Sequence, residues 1–296
     1  MIATRLVNSP IISPDTPGWD ASTVGENING PCLLLAPDWL AQPLGRYYLY
    51  FAHHQGQSIR LATADALTGP WTIHTPGTLQ LDQTPFTHHI ASPDLHPDPT
   101  GAQRLVMIYH GAGGVTAAHG VEQPAALAVS EDGLHWEHTQ ILPAESYLRA
   151  FHTTGRTLGI AKGGRLYEAP AGTFDFAPLG QRVDLSGRHW AVLTEGDRLH
   201  LAYSRWGDAP EHLLGFTVDH PDQLPDWNQA HRTALLSPEF SWEGSDQPVR
   251  PSRAGSVHEP VNELRDPELF RDDDGRIYLL YAVAGESGIA LAELTV

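Results

Sequence analysis

The sequence predicts an all-β chain. Helical periodicity is scarce, whereas short β-rich runs bounded by Gly, Pro, Asp and Asn recur along the 296 residues. The 28 Gly and 24 Pro residues suit many short strands joined by many turns. One strand-rich unit is repeated five times, and this predicts a single-domain five-bladed β-propeller over residues 1–296. The expected blades span approximately residues 29–80, 88–142, 147–180, 188–232 and 259–296.

The last unit shows the repeated pattern best. A strand at Pro267–Phe270 is followed by a turn at Asp272–Gly275, an aromatic strand at Ile277–Ala284 and a third strand at Gly288–Leu294. The first two units repeat this order, and the two middle units follow it more loosely. A β-sandwich also has short strands with regular turns, but it does not need a three-strand unit that recurs with turn residues at matching positions. The repeat therefore favours the propeller.

Composition and charge narrow the choice of partners. The net charge is −17, from 18 Lys+Arg against 35 Asp+Glu, which disfavours binding to nucleic acid or to anionic membrane surfaces. Cys32 is the only cysteine, so no intrachain disulfide is expected. The sequence shows neither a secretory signal nor a run of about 18 apolar residues. We expect a cytoplasmic protein, and the sequence leaves its oligomeric state open.

Short motifs carry a resemblance to a known group of enzymes. Three units begin with an x-Pro-x-Leu element, at Gly30–Pro31, Ser92–Pro93 and Asp266–Pro267. Two units contain a turn that ends in tryptophan, LTGPW at Trp71 and SEDGLHW at Trp136. Together with the repeat, these motifs resemble the five-bladed propeller glycoside hydrolases, including families 43, 32 and 117.

The resemblance implies where a site would lie. In these propellers the innermost strand of each blade begins at the mouth of a central funnel, and the second strand returns to the same end. Strand starts in this sequence then place at the mouth Asn29, His88, His89, Arg149, Arg188, His189, Glu263, Arg265 and Asp266. Ends of second strands add His53, His54, His110, Arg205 and Glu286.

The carboxylate pattern of family 43 is only partly present. That family uses a general base, a modulator of pKa and a general acid, all carboxylates. The base Asp of the first blade falls at Gly30, and the Asp of an Arg-Asp-Pro element falls at Ser92 in the second unit. Asp266 alone keeps the Arg-Asp-Pro form. The resemblance therefore implies a glycosidase fold with altered chemistry.

Histidine is the expected substitute for a missing acid. Imidazole transfers protons near neutral pH, and family 117 employs a His as its acid. We expect Asp266 or Glu263 as the catalytic carboxylate, with His89 or His189 transferring a proton. The structural alternative is that Asp266 and Arg265 form a salt bridge that joins neighbouring blades.

The remaining mouth residues are expected to bind substrate. Arg149, Arg205 and Arg265 could clamp an acidic or hydroxyl-rich sugar, and Trp190 could stack on a sugar ring. The other expected substrate-binding residues are Asn29, His54, His110, Arg188 and Glu286.

No cofactor is required by this pattern. His54, His89 and His110 could converge at the joint of the first two blades, where three imidazoles would suit a divalent metal. Their spacing lacks the local regularity of a metal motif, so no metal ligand is assigned.

The leading functional hypothesis is an exo-acting glycoside hydrolase on small oligosaccharides. Abundant His and Arg also fit a lyase that abstracts a proton from a uronate. A third hypothesis is a sugar-binding or interaction propeller without catalysis. Two carboxyl groups about 5–10 Å apart at the mouth would favour hydrolysis.

Overall fold

The structure is a computed structural model that describes residues 1–115 and 120–296. Residues 116–119, inside the second predicted blade, lie outside the described residues. The described strands form five four-stranded antiparallel sheets that follow one another along the chain. This confirms the predicted fold, a five-bladed β-propeller.

Strands dominate the secondary structure, and the helical segments are short. The helix α1 covers Ala21–Val24, and 3₁₀ turns occur at Leu81–Gln83, Lys162–Gly164, Leu224–Asn228 and Ser241–Glu243. In the described ranges, none of the helices has the length and apolar character needed to cross a lipid bilayer. In chain order the strands are β1 (Ile2–Arg5), β2 (Asn29–Leu35), β3 (Tyr47–Ala52), β4 (Arg60–Ala64), β5 (Thr72–His74), β6 (His89–Pro97), β7 (Leu105–Ala112), β8 (Ala125–Ser130), β9 (Glu137–Ile141), β10 (Arg149–Thr153), β11 (Arg156–Ala161), β12 (Arg165–Pro170), β13 (Ala177–Arg182), β14 (Gly187–Glu195), β15 (Arg198–Arg205), β16 (Leu213–Asp219), β17 (Thr233–Leu236), β18 (Arg265–Arg271), β19 (Ile277–Val283) and β20 (Gly288–Thr295).

Each blade has four strands and not the three of the predicted unit. Blade 1 is β2–β5, blade 2 is β6–β9, blade 3 is β10–β13 and blade 4 is β14–β17. The fourth strands are short or largely exposed, as the three-residue β5 and the exposed β13 show. Such strands carry little hydrophobic alternation, which is the signal that identifies a strand in a sequence.

Blade 5 is completed from the other end of the sequence. Its order is β1-β20-β19-β18, with Ile2 paired to Thr295 and Arg5 paired to Ala292. The prediction that residues 259–296 form the last blade by themselves was therefore wrong. Strand β1 has four residues and alternates between exposed and half-buried positions, so its sequence shows no buried face.

The hydrophobic core lies between the blades. Five clusters of buried side chains are found, and each one joins two neighbouring sheets. Tyr50 of blade 1, for example, meets Trp136 of blade 2 edge-on, with 6.0 Å between ring centroids. Every sheet thus buries both faces against its neighbours, which a single sheet could not do.

All five blades present the same ends at one side of the ring. The inner strands β2, β6, β10, β14 and β18 begin there, and the antiparallel second strands return to it. Side chains before the inner strands and after the second strands therefore meet around the axis. We call this end the funnel mouth.

Candidate active site at the funnel mouth

A bulge near the start of the inner strand aims side chains into the mouth. In blades 1, 2 and 5 the register with the second strand shifts at Gly30, Ser92 and Asp266, whose φ angles are 56°, 54° and 48°. The same shift in blade 4 falls at Arg188 and His189. Left-handed backbone costs about 1–3 kcal/mol outside glycine, and such strain concentrates at functional sites. The x-Pro-x-Leu motif thus marks three equivalent bulges.

Asp266 and His189 form a buried pair across the joint of blades 4 and 5. Asp266 is 2% exposed and His189 is 7% exposed. Oδ1 of Asp266 lies against Nδ1 of His189, and Oδ2 accepts a hydrogen bond of 3.3 Å from the backbone N–H of Gly30. Burial, followed by the charges of Arg188 and Arg149, holds the pKa of His189 well below its usual range. Burial therefore favours the neutral imidazole, and the adjacent carboxylate of Asp266 is the group that can stabilise a proton on it.

Two carboxylates share the guanidinium of Arg265. Its Nε donates to Oε2 of Glu263 over 2.7 Å, and its Nη1 donates to Oε1 of Glu286 over 2.9 Å. Burial raises the pKa of Glu263 despite the nearby Arg265. Burial opposes ionisation of Glu286 too, but the hydrogen bond from His54 and the charge of Arg265 outweigh it and place its pKa at about 2. The pKa of Glu263 is thus raised and that of Glu286 is lowered. Such a separation is what a proton donor and a permanently ionised carboxylate require.

Glu211 is a buried anchor that the sequence did not identify as a site residue. It is 0% exposed and binds Arg188 through both oxygens, at 2.9 and 3.1 Å. Ser204 donates to Glu211 over 2.7 Å, and Arg265 lies 3.8 Å from it. Glu211 therefore holds the arginines of blades 4 and 5 in place, whereas the alternative salt bridge of Arg265 with Asp266 is not formed: Arg265 binds Glu263 and Glu286, and Asp266 lies against His189.

Aromatic rings form a row around the mouth from blade 1 to blade 4. The centroids of His54 and His89 are 6.4 Å apart, and those of His89 and His110 are 5.9 Å apart. Tyr147 continues the row, 4.6 Å from His110 and 3.8 Å from His189. Tyr147 was not predicted as a site residue. The sequence feature that could have identified it is its position, directly before the inner strand of blade 3. In the structure its φ angle is 60°.

Burial favours the neutral forms of His89 and His110 in this row. Burial, then the charges of His54 and His88, lowers the pKa of His89 to about 4, and burial holds the pKa of His110 well below its usual range. His54, His89 and His110 do converge as expected. Within residues 1–115 and 120–296, however, no group of three or more His, Cys, Asp or Glu side chains has an arrangement that could hold a metal ion.

Several buried polar atoms at the mouth have no hydrogen-bond partner in the described part of the chain. They are Oγ of Ser92, Nδ1 of His110 and Nε2 of His189, whereas Nδ1 of His189 and Oδ1 of Asp266 lie against each other. Buried polar groups are almost always hydrogen-bonded in folded proteins. A concentration of unpaired donors and acceptors at one place therefore indicates a surface that binds hydroxyl groups or water.

Arg149 does not line the mouth, contrary to the prediction. It lies deeper along the axis, where it donates to the carbonyl oxygens of Pro31 at 3.1 Å and Trp190 at 3.3 Å. Asp94 and Glu268 lie 3.4 and 3.7 Å from its guanidinium. The reason is that Arg149 begins β10 without a bulge, so its long side chain crosses the channel between the inner strands.

The expected positions of Trp190 and Arg205 also need correction. Trp190 is 0% exposed, and its ring stacks on Tyr203 with centroids 4.3 Å apart. Adjacent strand residues point to opposite faces, so with His189 in the funnel Trp190 enters the core. Arg205 lies on the rim and is bound to Asp208 at 2.9 Å. Neither side chain is placed to hold a sugar in the funnel.

Asn29 supports a carboxylate at the mouth. Its Nδ2 donates to Oδ1 of Asn27 at 2.8 Å and to Oε2 of Glu286 at 3.3 Å. Asn27 itself donates to Glu286. The two amides therefore fix the orientation of Glu286 and favour its ionised form.

A strap formed by residues 245–261 lies beside the mouth and is held through its carbonyl groups. Arg188 donates to the carbonyl oxygen of Gly255 at 3.3 Å. The side chain of Asn27 donates to the carbonyl oxygen of Val257 at 2.9 Å. Side chains of the site thus fix the position of the strap through hydrogen bonds to its backbone.

Fold and mouth define the class of protein: a five-bladed β-propeller with a buried, ionisable cluster where its inner strands begin. No family model matches the chain. The chain belongs to the same family as the uncharacterized protein R118 of Acanthamoeba polyphaga mimivirus, with 32% identity over 90% of this chain and 83% of the viral protein.

Solved structures with the same fold are far more distant in sequence. CoXyl43, a GH43 β-xylosidase/α-arabinofuranosidase from a compost metagenome solved with xylotriose, gives a TM-score of 0.62 at 10% identity over 99% of this chain and 96% of that one. The GH43_1 enzyme of Xanthomonas citri, also solved with xylotriose, gives 0.63 at 12% identity over 99% and 91%. GH43 BlXynB of Bacillus licheniformis gives a TM-score of 0.55 at 11% identity. The match covers 91% of this chain and 53% of the length of BlXynB.

Proposed function

We propose that the protein is a glycoside hydrolase that acts on the ends of small oligosaccharides at the funnel mouth. Support comes from the fold, which it shares with GH43 enzymes solved with xylotriose. The observation that carries the proposal is the buried Asp266–His189 pair, in which Nε2 of His189 has no partner in the described part of the chain. A cytoplasmic location belongs to the same proposal and is supported by the single cysteine.

Hydrolysis of a glycosidic bond needs one group that gives a proton and one that takes a proton. Glu263 suits the donor, because burial raises the pKa of its carboxyl group. His189 suits the acceptor, with Asp266 against Nδ1 to stabilise the imidazolium that forms. Water adds to the anomeric carbon and gives its proton to His189, while the leaving oxygen takes the proton of Glu263. His89 contacts other rings and is a weaker candidate than His189.

The ion pairs of the mouth favour hydrolysis over lyase chemistry. A lyase needs a free cation to neutralise the uronate whose proton it removes. Arg188 is bound to Glu211, and Arg265 is bound to Glu263 and Glu286. Both guanidinium groups are thus occupied by carboxylates of the protein and are not free to bind a uronate.

Asp266→Asn is the test of this function. The assay follows release of monosaccharides from β-1,4-xylo-oligosaccharides and α-1,5-arabino-oligosaccharides, with absorbance near 235 nm recorded in parallel. We expect kcat to fall by about 10²–10⁴-fold, because the amide cannot stabilise the imidazolium of His189. Asp273→Asn is the matched control, since that carboxylate is 59% exposed in a hairpin turn, and it should keep full activity.

Two outcomes would contradict the proposal. Full turnover by Asp266→Asn and by Glu263→Gln would remove both assignments. A product that absorbs near 235 nm, without hydrolysis, would establish a lyase instead. Thermal unfolding of each variant separates a catalytic loss from a folding defect.

A further inference from the structure

A second depression lies on the mouth side of the ring, between blades 2, 3 and 4. Its volume is about 350 Å³, which is within the range of small-molecule sites. It is formed by the ends of β11, β13 and β15, by residues 120–123 before β8 and by Glu145 and Ser146 before β10. The lining residues used below are Glu122, Glu145, Lys162, Arg182 and Trp206.

Lys162 is the only lysine of the chain; the other 17 basic residues among the 18 Lys+Arg are arginines. It begins a 3₁₀ turn, is half-buried, and its backbone N–H donates to the carbonyl oxygen of Ser146 at 3.1 Å. Across residues 1–115 and 120–296 no carboxylate lies within salt-bridge distance of its ammonium group. After burial and the charges of His89 and His54, the charge of Lys162 contributes to the low pKa of His110. Ser146 also lines the depression and directly precedes Tyr147, so the depression adjoins the ring row of the funnel.

The other lining residues make the depression amphipathic and weakly positive. Trp206 is half-buried and gives an aromatic face of the kind that stacks on the C–H face of a sugar. Arg182 is exposed and adds a second cation. Glu145 is neutralised by Arg165 at 2.9 Å, which leaves Glu122 as an uncompensated carboxylate against two cations. In a chain of net charge −17, a local excess of positive charge is unusual.

We propose that this depression binds the anionic group of an acidic sugar, a carboxylate or a phosphate, with Lys162 on the anion and Trp206 under the ring. The saccharide nature of the ligand rests on the proposed function, whereas the anion site rests on the depression itself. Lysine binds carboxylate and phosphate as a compact point charge, and an aromatic platform beside it selects a ring over a free ion. The site lies next to the ring row, so a bound acidic sugar would adjoin the funnel.

The single lysine makes the test direct. Protein labelled with ¹⁵N-lysine shows one backbone amide resonance, and its chemical shift is followed during titration with D-glucuronate, glucose 6-phosphate and D-glucose. We expect a saturable shift with one or both anionic sugars and at least about tenfold weaker binding of glucose, since charge-assisted hydrogen bonds contribute on this scale. The two anionic sugars separate a carboxylate ligand from a phosphate ligand.

Variants assign the contacts. Arg182→Met and Trp206→Ala should each weaken binding of the anionic sugar by about tenfold. Arg198→Met is the matched control, because Arg198 is an exposed arginine bound to Asp219 on a different part of the surface, and it should leave the titration unchanged. Arg182 is exposed, so its variant tests the site even where Trp206→Ala does not fold.

The proposal is overturned by equal shifts with glucose and glucuronate, or by equal shifts with inorganic phosphate or acetate alone, which would mean an ion site without sugar recognition. Asp266→Asn should leave the titration unchanged. A saturable shift without turnover of any glycoside would remove the proposed function and keep the anion site. Turnover of a glycoside without a change in the chemical shift of Lys162 would remove the anion site and keep the proposed function.

Discussion

Two buried groups of charged side chains lie along the axis of the propeller, and they differ in what their atoms contact. The channel group comprises Arg149, Asp94 and Glu268, and the mouth group centres on Asp266 and His189. Asp94 and Glu268 each follow a bulge by two residues, so they lie on the same face of the inner strand but deeper in the channel.

The channel group is closed. Arg149 is bound by backbone carbonyl groups and faces two carboxyl groups, and Asp94 also accepts from the backbone N–H of Ala150 at 2.8 Å and contacts His96 at 2.9 Å. At the mouth, by contrast, Nε2 of His189, Oγ of Ser92 and Nδ1 of His110 lack partners in the described chain. Burial alone therefore does not identify a site. Unsatisfied hydrogen-bonding capacity does, and the predictions below test that distinction.

The largest expected effect is on stability, from Arg149→Met. Removal of the cation leaves Asp94 buried without its charge partner, which costs about 3–5 kcal/mol in unfolding free energy. Urea unfolding measures the loss. Turnover per folded molecule should change much less than in Asp266→Asn, because Arg149 does not reach the mouth and acts on His189 only through its charge.

The triple variant Arg149→Met, Asp94→Asn, Glu268→Gln is the control for Arg149→Met. Without buried charges it should regain part of the lost stability. A triple variant as unstable as the single one would show that packing of the long side chain matters more than charge.

A smaller, pH-dependent effect is expected for Glu268→Gln. Burial raises the pKa of Glu268 to about 8 from its ordinary 4.5. The native state then keeps a proton that the unfolded chain releases, so this residue lowers stability as pH rises from about 4.5 to 8. Glu268→Gln should be close to neutral at pH 5 and stabilising by on the order of 2–3 kcal/mol at pH 8 to 9.

Urea unfolding of the wild type and of Glu268→Gln at pH 5 and pH 9 measures this difference. An unchanged difference between the two pH values would mean that Glu268 is ionised throughout. Activity at the mouth should be the same in both proteins.

The smallest effect is expected from Tyr147→Phe. Burial, followed by the charge of Glu286, raises the pKa of Tyr147, so its hydroxyl group stays protonated and can donate a hydrogen bond. Loss of one such donor to the substrate should lower kcat/KM by about tenfold with little change in stability. Tyr109→Phe is the matched control, since Tyr109 contacts His138 on the outer side of blade 2. Equal activity of Tyr147→Phe and the wild type would place Tyr147 outside the site.

Sequence patterns predicted the architecture because the blades repeat the same order of short strands and turns. The x-Pro-x-Leu motif located three of the bulges, and Asp266 does lie against His189. Trp190 and Arg149 were misplaced because blades 3 and 4 lack the motif, so the sequence does not show that blade 4 has a bulge at this position and blade 3 has none. Glu211 and Tyr147 were missed because their positions depend on contacts between blades.

Closure of the ring by β1 determines the order in which the blades can be completed during folding. Residues 2–5 pair with residues 292–295, so the fifth sheet joins segments about as far apart in sequence as this chain allows. Blades 1 to 4 use strands that are close in sequence and can form while synthesis continues. Blade 5, which carries Asp266, is complete only after β20 has emerged. The pairing of Asp266 with His189 is therefore among the last contacts to form, and the site is assembled when the ring closes.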